Sequence, residues 1–68
     1  MTEPYRTLRY FYREQEARDY RHASGAGGWI FVSEDKRLVV LFPPDMPPSD
    51  IFHHRSVKGL TGDLIGCG

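Results

Sequence analysis

A single cysteine, Cys67, stands in a chain of 68 residues, which excludes an internal disulfide framework. No apolar run approaches the roughly 18 residues that a membrane span needs. The opening Met1-Thr2-Glu3-Pro4 lacks the basic and apolar stretches of a signal peptide, so a cytoplasmic protein without a membrane partner is expected. Net charge is missing as well: nine Lys and Arg stand against nine Asp and Glu, a balance that does not mark a polyanion binder. Internal repeats and low-complexity tracts are also lacking, as are helix-turn-helix, zinc-knuckle, RNP and P-loop motifs.

What is present is an ordinary globular mixture, 40% hydrophobic and 26% charged, which argues against disorder along the whole length. Ordering costs about 1.5 kcal/mol per residue, on the order of 100 kcal/mol for a chain of this size. Apolar burial must nearly match that sum, so the core has little slack. One small domain over residues 1–68 is the expectation.

Residues 5–13 alternate aromatic, aliphatic and basic side chains and read as a strand. Residues 14–23 hold helix formers with neither glycine nor a β-branched residue. Glu14 and Glu16 at the start, with Arg21 and His22 at the end, complement the helix dipole, and Gly25 is a natural stop. Gly25-Ala26-Gly27-Gly28 is a loop. Residues 29–33 and 38–42 read as a hairpin turning at Glu34-Asp35-Lys36-Arg37. Pro43-Pro44-Asp45-Met46-Pro47-Pro48 ends the second hairpin strand, since proline cannot donate to a ladder. Ser49 is a suitable N-cap for a short helix over residues 51–58. Residues 59–68 read as a flexible glycine-rich tail, with Asp63-Leu64-Ile65 as its one candidate edge strand.

The fold expected is α+β in the order strand, helix, strand, strand. It has a small three-stranded antiparallel or mixed sheet of order 1-3-2, a split βαβ arrangement. One helix covers a face, and a short helix follows toward the C-terminus. Trp29 and Phe31 point to one side of the sheet, Ile30 and Val32 to the other, so both faces are apolar. The first helix offers only Ala17, Tyr20 and Ala23 and covers one face at most. The chain's own C-terminal third is the expected cover for most of the second face. A residual patch is expected to meet a partner or a second copy, giving a homodimer with Trp29, Phe31 or the opposite-face residues at or near the contact.

No reading of the residues supports catalysis, so the chain is expected not to be an enzyme and to carry no cofactor. A phosphate-cradling glycine loop follows a strand and opens a helix, whereas this one follows a helix and opens a strand. His22, His53, His54 and Cys67 show no metal-ligand spacing, and neighbours such as His53 and His54 diverge by about 100° on a helix. Ser24, Ser33, Ser49 and Ser56 lie in no nucleophile elbow, and Cys67 has no fixed neighbour to lower its pKa. Nucleic acid is the rival partner, because Arg6, Arg9 and Arg13 interleave with Tyr5, Tyr10, Phe11 and Tyr12. Yet Arg6, Arg9, Arg13, Arg18 and Arg21 face Glu3, Glu14, Glu16 and Asp19, a surplus of one positive charge over residues 1–24.

Protein recognition fits the composition best. Seven arginines against two lysines, with four tyrosines and one tryptophan, supply the residue types that dominate binding hot spots. The expectation is a non-catalytic protein-interaction module, an inhibitor or adaptor of the kind that phage and other mobile elements encode. The first strand is its edge, and the partner-binding residues expected are Arg6, Arg9, Tyr10, Tyr12, Arg13, Trp29 and Phe31.

Overall fold

The computed structural model describes residues 8–25 and 27–66. Six elements follow one another: β1 (Arg9–Phe11), α1 (Glu14–Ser24), β2 (Trp29–Ser33), β3 (Val39–Phe42), α2 (Pro48–His53) and β4 (Gly62–Ile65). They form one four-stranded sheet of order β1-β3-β2-β4 in which every pairing is antiparallel. The order 1-3-2 expected for the first three strands is present, with β1 and β2 parallel and β3 between them. The expected three strands become four. The tail supplies the last, Ile65 lying opposite Ile30 and Gly62 opposite Ser33. Short glycine-flanked segments carry too little periodicity to announce themselves, and it is the apolar edge of β2 that holds this one in place.

β1 is shorter than residues 5–13, and of that range residues 5–7 lie outside the described residues. It stops after Phe11 because the Glu16 carboxylate accepts the backbone N–H groups of Tyr12 and Arg13, both at 3.3 Å, and turns the chain into α1. α1 then runs as its charges require and ends at Gly25. There φ is 69°, in the left-handed region, and the Gly25 N–H donates to the Arg21 carbonyl at 3.1 Å. α2 is displaced toward the N-terminus relative to residues 51–58. Pro47 takes the N-cap position and Pro48 the first turn, so Ser49 is not the cap. A proline with its φ already helical and no N–H to satisfy opens a helix readily. After His53 the chain continues in turns, His54 being extended at φ −66° and ψ 140°.

Each sheet face has its own core. Ile30, Val32, Val39 and Leu41 pack under Ala17 of α1, with Phe11 and Ile65 at the margin. Phe31, Val40 and Phe42 pack under Met46, Ile51 and Val57, with Leu8, Trp29, Leu38 and Leu64 around them. The chain's own residues 46–57 thus cover the second face. Phe31 has no exposed surface at all. It is a core residue and not, as the sequence suggested, part of a contact patch. Neither of the two helices is long and apolar enough to cross a membrane, the described residues being those considered.

The β2–β3 turn is built on Asp35. The Ser33 hydroxyl donates to Asp35 Oδ1 at 2.7 Å and the Arg37 N–H donates to the same oxygen at 3.0 Å. The Leu38 N–H in turn donates to Ser33 Oγ at 3.0 Å. The two bonds to Asp35 Oδ1, the Ser33 hydroxyl first, hold its carboxyl below the ordinary value of 3.8, against a smaller opposing effect of desolvation. A carboxylate whose pKa is lowered by folding contributes stability above its unfolded value. That contribution fades as pH falls below 3.8 and through the folded value. Asp35→Asn is therefore expected to lower the unfolding midpoint at neutral pH. The gap from the parent should narrow in acid below the carboxylate range, as thermal melts across that range will show. A gap that stays constant with pH would contradict this.

Candidate functional site

β1 is an outer strand of the sheet, its far edge unpaired among the described residues, and Arg9, Tyr10, Tyr12 and Arg13 lie on or next to it. Tyr10 is 59% exposed on the strand, and Tyr12, just past it, is 87% exposed. Tyr10 lies opposite Val40, on the face covered by residues 46–57. Arg9 and Phe11 lie opposite Leu41 and Val39, on the face covered by α1. The arginines and tyrosines of the sequence pattern therefore do not share one face; they flank the edge from both sides.

Arg9 sits over α1, its guanidinium carbon 4.9 Å from the centre of the Tyr20 ring. Phe11 meets the same ring at 5.7 Å between centroids. Tyr20 was legible only as part of the thin apolar stripe Ala17-Tyr20-Ala23. Its spacing of three from the buried Ala17 carried the signal that it leans on the sheet. Arg13 is exposed at the N-cap position of α1. Trp29 is half-buried at the start of β2, separated from β1 by β3, and Phe31 is fully buried. Arg6 lies outside the described residues. The structure thus brings Arg9, Tyr10, Tyr12 and Arg13 together and separates Trp29 and Phe31 from them.

Local carboxylates are already engaged. Glu14 accepts Arg18 Nε at 2.7 Å, Glu16 holds the two backbone N–H groups, and Asp19 accepts Gln15 Nε2 at 2.8 Å. Neither Arg9 nor Arg13 forms an ion pair with a described residue. Arg9 and Arg13 thus stand along the edge as cations that no described carboxylate pairs with, on a chain that is neutral overall.

Next to Arg9 opens a cavity of about 280 Å³. Tyr20 and Ser24 of α1 wall one side, and Leu41, Phe42, Pro43 and Pro44 wall the other. Its surface is mostly apolar. The proline pair, legible as a stiff chain redirector, becomes a wall here because β3 ends directly opposite the C-terminal half of α1.

Elsewhere the polar groups serve the fold. Arg21 donates through one guanidinium nitrogen to the carbonyls of Gly28 at 3.2 Å and Gly66 at 3.1 Å, tying α1 to the entrance of β2 and the exit of β4. The Ser56 N–H donates to His54 Nδ1 at 3.1 Å, and His53 Nδ1 lies 2.7 Å from the Ser49 carbonyl. Among the described residues no three His, Cys, Asp or Glu side chains converge in a way that could hold a metal ion; Cys67 lies outside them. Compared with known families, curated proteins and solved structures, the chain finds no match.

Proposed function

We propose that the chain is a non-catalytic module that acts by occupying the surface of another protein, as a stoichiometric inhibitor or adaptor does. The observation that carries this reading is the β1 edge: among the described residues its outer side pairs with no strand, two tyrosines on or next to it are 59% and 87% exposed, and Arg9 and Arg13 form no ion pair. An open strand presents N–H and C=O groups that pair with a further strand. Tyrosine adds large contact area with few rotamers to freeze, and arginine adds bidentate bonds to carboxylates.

Affinity capture from a native lysate, with and without nuclease, supplies the partner. Calorimetry on Tyr10→Ala, Tyr12→Ala, Arg9→Ala and Arg13→Ala then tests the site. Truncating a tyrosine anchor is expected to cost about 2 kcal/mol, roughly thirtyfold in affinity. An arginine should cost about 1 kcal/mol or less and act mainly on the association rate. If all four variants fold and bind like the parent, the interface lies elsewhere. Capture that disappears with nuclease, with affinity falling steeply as salt rises, would favour nucleic acid as the partner.

A further inference from the structure

We infer that the segment held at the β1 edge is an extended acidic chain carrying one bulky apolar side chain, and that this side chain seats in the cavity between α1 and Pro43–Pro44. The inference rests on the protein-binding reading above and names the chemistry of the partner.

β1 has three residues, so an added strand makes few backbone bonds and needs an anchor for its affinity. The cavity beside Arg9 supplies one. At about 280 Å³ it lies just under the range of small-molecule sites, about 300–1,000 Å³, and suits a single aromatic or large aliphatic side chain. Its walls are Tyr20, Leu41, Pro43 and Pro44. The prolines are fixed in φ, so seating a side chain against them loses little entropy.

Charge chooses between apolar segments. Arg9 lines the cavity, and Arg13 stands further along the same edge. Glu14 on α1 is paired with Arg18, and no described carboxylate pairs with Arg9 or Arg13. A carboxylate on the bound segment is a complement that no described residue supplies to either arginine. A basic segment would be repelled, and that includes the Arg9 edge of a second copy. Arg9 and its opposite residue Leu41 share the α1 side of the sheet. On an added strand alternate residues face that side, so the apolar residue and its carboxylate should occupy alternate positions.

Random peptides of about a dozen residues, displayed on phage and panned on the intact chain, provide the probe; enriched sequences are then synthesised. The expected consensus is Phe, Trp or Leu with Asp or Glu at the alternate position. Arg9→Glu and Tyr20→Ala should each weaken the synthetic peptide about tenfold or more, and N-methylation of its alternate amides should abolish binding. Arg9→Glu changes an exposed side chain and keeps the test valid if Tyr20→Ala fails to fold. Peptides that lose binding on N-methylation yet ignore both variants would overturn the cavity assignment and leave the edge reading intact. A basic consensus, binding mapped to another face, or no enrichment at all would overturn the inference. The partner-capture experiment judges the wider reading independently.

Discussion

Gly62→Ala is expected to detach β4 from the sheet. A Cβ at this position would run into the Val32 carbonyl oxygen and stand 2.8 Å from Phe31 Cζ and 2.9 Å from Ser33 Cα. Two of those atoms are β2 backbone, and the third belongs to a ring with no free space around it, so no rotamer change relieves the clash. β4 must move away, and the register that sets Leu64 opposite Phe31 is lost with it. Overpacking of this kind costs about 3 kcal/mol, against a total of about 3–10 kcal/mol for a chain of this length. Chemical denaturation should show a large drop in midpoint. Amide exchange should show lost protection through residues 62–66. A variant with the parent's midpoint and protected residues 62–66 would refute the packing described.

Phe31→Ala should be at least as damaging. The ring is fully buried, lies opposite Val40 and Leu64 on either side, and meets Phe52 edge-on at 6.4 Å. Removing a buried phenylalanine costs about 3–5 kcal/mol. Because the core is thin, that is comparable with the whole stability of so small a chain, and the variant is expected to be largely unfolded at room temperature. Phe52→Ala is the matched control: it removes the other half of the same ring pair from a residue 46% exposed, and should cost about 1 kcal/mol. Circular dichroism melts of the pair decide it. If Phe31→Ala binds less but melts like the parent, the residue belongs to an interface after all.

Phe31 also shows where sequence pattern stops. Alternation along residues 29–33 and 38–42 assigns every side chain to its correct face, because a period of two admits only two answers. It does not say what covers that face. The cover comes from Met46, Ile51 and Val57, spread over a proline loop, a helix of six residues and a run of turns, none of them long enough to show a period. β4 escapes for the same reason, and the tail was legible only as a candidate strand at Asp63-Leu64-Ile65. The edge position of β1 was legible, since a helix between β1 and a following hairpin leaves the first strand outermost. The cavity beside Arg9 was not: it exists because Pro43 and Pro44 stand across from Tyr20, a juxtaposition set by tertiary packing.

Arg21 has a consequence for the lifetime of the fold. Its bond to the Gly66 carbonyl joins groups 45 positions apart, while its bond to Gly28 spans seven. Local structure such as α1 and the hairpin forms before long loops close, since closure entropy must be met first. The longer of the two bonds is therefore expected to form late in assembly and to break early in disassembly. Interactions absent from the folding transition state change the unfolding rate and leave the folding rate almost untouched. Arg21→Met is accordingly expected to steepen the escape from the native state without slowing arrival at it. Residue 21 would then act as a timer on how long a folded copy persists.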